Sequence, residues 1–123
     1  MAKTITFDIV RQIGLALPDV EESMTYGSPS LKVRGKAFVC IPTHPSAEPN
    51  SLALFIDIAD RDELIAADPE TYYLKDHYVN YPVLLVRMQR VHTDALRDLM
   101  QMAYRRASTR SKRPARPRKR STR

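Results

Sequence analysis

The sequence predicts an α+β domain in which an antiparallel sheet of about five short strands carries helices on one face. Three observations lead there. Apolar residues recur at helical spacing near both ends of the folded part, short alternating runs fill the middle, and those runs are joined by turns rather than by long crossover helices. The chain has 123 residues, 43% of them hydrophobic, which suits one domain with an ordinary core.

Thr6 has the chemistry of an N-cap, and Phe7, Ile9, Val10, Ile13 and Leu17 follow at helical spacing. Pro18 disfavours the α conformation at Leu17, so the first helix is expected to end there. Asp19–Met24 reads as an acidic connection. Leu31–Arg34 and Ala37–Ile41 read as strands of a hairpin, with Gly35 supplying the positive φ of a very tight turn. Pro42, Pro45 and Pro49 then punctuate a loop that carries His44. In Leu52–Ile58 the even-numbered apolar residues Leu52, Leu54, Ile56 and Ile58 share one strand face. Asp60 and Glu63 form a capping-box-like pair ahead of a short helix at Leu64–Ala67, ended by Pro69. Thr71–Leu74 suggests a brief strand and Val83–Met88 a clear one. Thr93 caps a last helix with Leu96, Leu99, Met100 and Ala103 along one stripe.

Charge divides the chain more sharply than its formal net value of +6 suggests. Arg105–Arg123 holds ten Lys/Arg and no acid, giving +10, while Met1–Tyr104 sets the other ten bases against all fourteen acids, giving −4. Beyond Ala107 the periodicity fails and no large apolar residue remains to offset ordering entropy. The organisation expected is therefore a domain over residues 1–108 and a disordered basic tail over 109–123.

Several function classes lose support at once. One cysteine makes neither a disulfide framework nor a thiolate-rich zinc site. His44, His77 and His92 lack the spacing of a ligand set, so no metal is expected. Cys40 sits at the end of an apolar strand, where a thiol packs as a small hydrophobe. Gly14, Gly27 and Gly35 are too far apart for a phosphate loop, and Gly27-Ser28-Pro29-Ser30 lacks the second glycine of a nucleophile elbow. No apolar run approaches the ~20 residues of a membrane span. The expectation is a cytoplasmic chain, monomeric by default, with no catalytic residues, no cofactor and no membrane partner.

Two clusters remain as candidate sites. With Leu31 and Val33 facing the core, Lys32 and Arg34 share the outer face, and Lys36 joins them at the hairpin tip. Such a basic ribbon suits phosphate contact, the plainer reading being a solvated strand face. The segment YYLKDHYVNYP gathers Tyr72, Tyr73, Tyr78 and Tyr81 around His77. His77, Tyr78 and Tyr81 could line a small-molecule pocket, the alternative being rings that anchor a loop.

The ordered set Leu17-Pro18-Asp19-Val20-Glu21-Glu22, Gly27-Ser28-Pro29, Leu31–Phe38, Asp76–Met88 and Ala103-Tyr104-Arg105 resembles the MmcQ/YjbR family over roughly residues 6–108. The resemblance implies a CyaY-like (frataxin-like) α+β fold with a double-wing surface associated with DNA binding. It implies no catalytic residues. Lys32, Arg34 and Lys36 are the positions most compatible with a wing. The iron binding of frataxin-like proteins needs acidic residues on the first helix, where only Asp8 occurs.

Together these readings lead to a non-enzymatic protein that binds DNA or RNA without sequence preference. The cations of the tail (Arg110, Lys112, Arg113, Arg116, Arg118, Lys119, Arg120) would attract phosphates and the hairpin would orient the domain. No recognition helix is visible, and Asp94 and Asp98 open the exposed face of the last helix. The alternatives are a small-molecule module built on the His77–Tyr81 loop with the tail incidental, and a tail that meets an acidic protein.

Overall fold

A computed structural model describes residues 5–25 and 27–109. In chain order the elements are α1 (Phe7–Leu15), β1 (Val20–Thr25), β2 (Ser28–Val33), β3 (Lys36–Cys40), β4 (Ser51–Phe55), α2 (Ile58–Ala67), β5 (Tyr72–Tyr73), a single 3-10 turn at Asp76–Tyr78, β6 (Val83–Arg87) and α3 (Thr93–Thr109). The six strands form one antiparallel sheet in the order β1-β2-β3-β4-β6-β5.

Cross-strand register shows how the alternating runs make two different faces. Leu31, Val39, Leu54 and Leu84 are successive partners across β2, β3, β4 and β6, and all four are fully buried. All three helices pack on that side. The core there takes Val10 from α1 and Leu96, Leu99, Met100, Ala103 and Ala107 from α3, with Leu64 and Ile65 of α2 against it. At Gly14 helix α1 approaches the sheet closely, since a Cβ there would lie 2.3 Å from Leu31 Cδ1. The neighbouring row of Cys40, Ala53, Leu85 and Tyr73 faces the other way and belongs to a second, smaller core.

One irregularity sets this parity. Leu31 pairs with Val39 but Lys32 pairs with Ala37, so Phe38 is an extra residue in β3. Phe38 and Val39 both enter the helix-side core, and Phe38 meets the Tyr104 ring edge-on at 5.8 Å. Such a bulge lets consecutive residues share a side and bends the strand.

The structure differs from the sequence reading in several places. Helix α1 already ends at Leu15, two residues before the expected Leu17. The acidic connection is the edge strand β1, paired with β2 along its whole length. An edge strand has one neighbour, and Glu21, Glu22 and Met24 are exposed, so it carries little of the apolar alternation that marks inner strands. The third expected strand stops at Phe55 rather than Ile58. Ile58 instead opens α2, behind an extended N-cap at Asp57, three residues before the Asp60 signal. Arg34 is part of the hairpin turn, with φ 54° before the 81° of Gly35, the paired positive angles of a two-residue turn. The last helix runs to Thr109, and the remaining tail lies outside the described residues.

Removing a buried side chain from the central row tests its weight. Leu54→Ala should lower unfolding free energy by about 2–5 kcal/mol, while Met24→Ala on the exposed edge should stay within about 0.5 kcal/mol, both read by denaturant titration.

Candidate functional site

With the helices all on one face, the apolar residues of the opposite face need another cover. Two loops provide it, residues 41–50 between β3 and β4 and residues 74–82 between β5 and β6. Each is held by an arginine. Arg87 of β6 makes a two-pronged ion pair with Glu48, Nε to Oε1 and Nη2 to Oε2 at 2.8 Å each. Its Nη1 donates to the carbonyls of Pro69 and Glu70, and its guanidinium lies 4.3 Å over the Tyr73 ring. The Tyr73 hydroxyl in turn accepts the Glu48 backbone N–H at 2.8 Å and bonds Ser51 Oγ at 2.5 Å. The guanidinium holds the Glu48 carboxyl below its ordinary range.

The second loop is held from beneath. Arg61 of α2 is only 4% exposed, and its Nη1 donates to the carbonyls of Val79 at 3.0 Å and Tyr81 at 2.9 Å. Its Nε donates to Asp62 at 2.9 Å, so the charge is compensated as well as bonded. Linear spacing signals neither role, because the loop groups these arginines hold are backbone carbonyls 18 and 20 residues from Arg61 and a carboxylate 39 residues from Arg87.

Between these loops lies a cleft of about 430 Å³. Its floor is the open strand face, Cys40, Ala53 and Val83, with Phe55 at one end. Its wall is a ring cluster. His44 and His77 stack at 3.6 Å with planes 15° apart, and Tyr78 stands edge-on to both. Tyr81 tilts over His77 at 6.2 Å and keeps 57% of its surface exposed. His44 Nδ1 accepts the Ser46 backbone N–H at 3.1 Å, which puts the proton of the neutral ring on Nε2. The Ser46 hydroxyl then donates to the same Nδ1 at 2.8 Å. Burial pushes the Tyr78 phenol up, against a bond to the His44 backbone that pulls it down.

Of the pocket residues read from sequence, His77, Tyr78 and Tyr81 therefore meet in one cleft. His44 joins them from 33 positions earlier, and linear spacing gave no signal of that. Cys40 is buried in the floor, and burial pushes its thiol up to about 11. Among the described residues no group of three or more His, Cys, Asp or Glu could hold a metal ion.

The hairpin cations are divided. Arg34, in the turn, lies 3.6 Å from Asp19. Lys32 and Lys36 instead line a groove with Gly35, Ala37, Phe55, Pro82 and Arg106 of α3. Arg106 donates from Nε to Asp57 at 2.7 Å. The tail cations Arg110, Lys112, Arg113, Arg116, Arg118, Lys119 and Arg120 lie outside the described residues. No described helix is long and apolar enough to cross a membrane.

A six-stranded antiparallel sheet with helices on one face and a loop-walled cleft on the other defines a small α+β architecture. The chain belongs to the YjbR family, whose model matches residues 15–106. The crystal structure of the Deinococcus radiodurans protein DR2400, with a DUF419 family-model domain, shares the fold at a TM-score of 0.71 and 20% identity, covering 87% of this chain and 81% of that one. No curated protein matches the sequence.

The buried thiol gives a direct check on the cleft floor. At pH 8 a group with a pKa near 11 presents about 100-fold less thiolate than one at 9.0, so Cys40 should react about that much more slowly in the native than in the urea-unfolded chain. Because the unfolded thiol ionises first, stability should also fall as pH rises from about 9 towards 11, and Cys40→Ala should remove that part of the fall.

Proposed function

We propose that this YjbR-family protein is a small-molecule-binding module whose site is the cleft between the two arginine-held loops. The observation that carries the reading is the combination of an apolar strand floor with a wall of four rings, His44, His77, Tyr78 and Tyr81. Ligand sites are typically concave, mainly apolar and supplied with a few placed polar groups, and this cleft has the size for one. The imidazole donor on His44, the Tyr78 phenol and the Thr43 hydroxyl are the polar groups at hand. One loop is preorganised by the Arg87–Glu48 ion pair and the Tyr73 bond to the Glu48 N–H, the other by the bonds of Arg61 to the Val79 and Tyr81 carbonyls, which lowers the ordering cost of binding.

A fragment screen by thermal shift tests this reading. A ligand present at 100 times its Kd should stabilise the native chain by about 2.7 kcal/mol. Tyr81→Ala should abolish the shift while leaving the unliganded melting temperature nearly unchanged, since Tyr81 is half exposed. Shifts that persist in Tyr81→Ala would place binding elsewhere.

A second reading, sequence-independent nucleic-acid binding, is favoured by the +10 charge of Arg105–Arg123. Six to ten of those cations on phosphates would give log K a slope of about −5 to −9 against log salt on B-DNA. Truncation after Thr109, where α3 ends, should then remove duplex binding. Binding that survives truncation would move the contact to Lys32 and Lys36, and a flat salt series in both forms would end this reading.

A further inference from the structure

The aromatic cleft and the cationic groove are neighbours, since Phe55 and Pro82 line both. Each has a volume of about 430 Å³. Among the described residues no carboxylate lines the groove, whereas Lys32, Lys36 and Arg106 all do. The register explains the adjacency. Lys32 pairs with Ala37 on the open face, and Ala37 lies three residues before Cys40, which floors the cleft. At ~3.3 Å per residue the two sites are on the order of 10 Å apart along β3.

From this juxtaposition we propose that the natural ligand is a nucleoside monophosphate, with its base in the cleft and its phosphate in the groove. The proposal rests on the cleft reading above and names its ligand class. A planar ring suits an apolar floor and a wall that exposes the Tyr81 and His77 rings for stacking. An anion suits two lysines and a guanidinium fork of which Asp57 engages the Nε. The separation decides between classes of aromatic anion. In a benzoate-like molecule the charge is bonded directly to the ring and falls short of the groove when the ring is seated. A pentose between base and phosphate supplies the missing reach. The same chemistry could come from a free mononucleotide or from the terminal unpaired nucleotide of a strand.

The test uses the full chain and titrates adenosine monophosphate, adenosine, ribose 5-phosphate and benzoate by calorimetry at physiological salt. Adenosine monophosphate should bind at least about tenfold more tightly than each of the other three. Lys32→Ala/Lys36→Ala should compress its preference over adenosine to below about twofold, and Tyr81→Ala should weaken both adenosine compounds together. A 5′-phosphorylated tetranucleotide that competes equally well assigns the ligand to strand ends, and one that fails to compete assigns it to the free nucleotide. If adenosine and its monophosphate bind alike and both are lost in Tyr81→Ala, the cleft holds a ligand but the proposal fails. If ribose 5-phosphate matches the nucleotide and Tyr81→Ala changes neither, the phosphate is held by basic residues away from the cleft, and the proposal fails with the cleft reading unaddressed by these probes. No binding of the monophosphate at millimolar concentration also overturns it.

Discussion

One constraint underlies the cleft: among the described residues three helices cover one face of a six-stranded sheet, and none covers the other. The open face still carries Cys40, Ala53, Val83 and Leu85, whose burial must come from somewhere. Loops are poor cover, because each brings main-chain polar groups that lose water when packed down. Arg61 answers that difficulty by donating to two carbonyls of the second loop, Val79 and Tyr81, while Arg87 anchors the first loop through its ion pair with Glu48. The loops can therefore sit on apolar residues without leaving those oxygens unsatisfied, and the gap between them is the cleft.

Much of the fold is readable in the chain because burial and secondary-structure period agree there. The stripe Leu96, Leu99, Met100 and Ala103 is buried along α3, and Leu52, Leu54 and Ile56 are buried together on the helix side. Reading fails where burial is weak or where a partner is distant. Edge strand β1 lacks apolar alternation because, among the described residues, it pairs with β2 alone and leaves Glu21, Glu22 and Met24 exposed. Asp57 rather than Asp60 precedes α2, a choice that goes with its ion pair to Arg106, 49 residues away. The candidate site divides in the same way. A local segment holds His77, Tyr78 and Tyr81, so their proximity shows in the sequence, whereas His44 reaches them through tertiary structure alone.

Electrostatics within the described residues are largely paired. Arg11 bridges Asp8 and Glu22, Arg34 approaches Asp19, and Arg87 meets Glu48. The single acid of α1 is thus tied to a neighbouring arginine on its own helix. Exposed pairs of this kind add little stability individually, but they consume charge that might otherwise be read as a binding face. Lys32 and Lys36 stand out against that background because they border the groove beside the cleft.

The bulge at Phe38 has a consequence for how this scaffold can vary. It resets the inward–outward phase of β3, so that Val39 joins the helix-side row and Cys40 reaches the cleft floor. Losing one residue there would exchange the two sides for whatever follows, turning a floor position into a core position without altering any side chain. Substitutions in the cleft can accumulate one at a time, whereas insertions and deletions in β3 act on both faces at once. Length, more than residue identity, is what this strand must conserve to keep its two surfaces distinct.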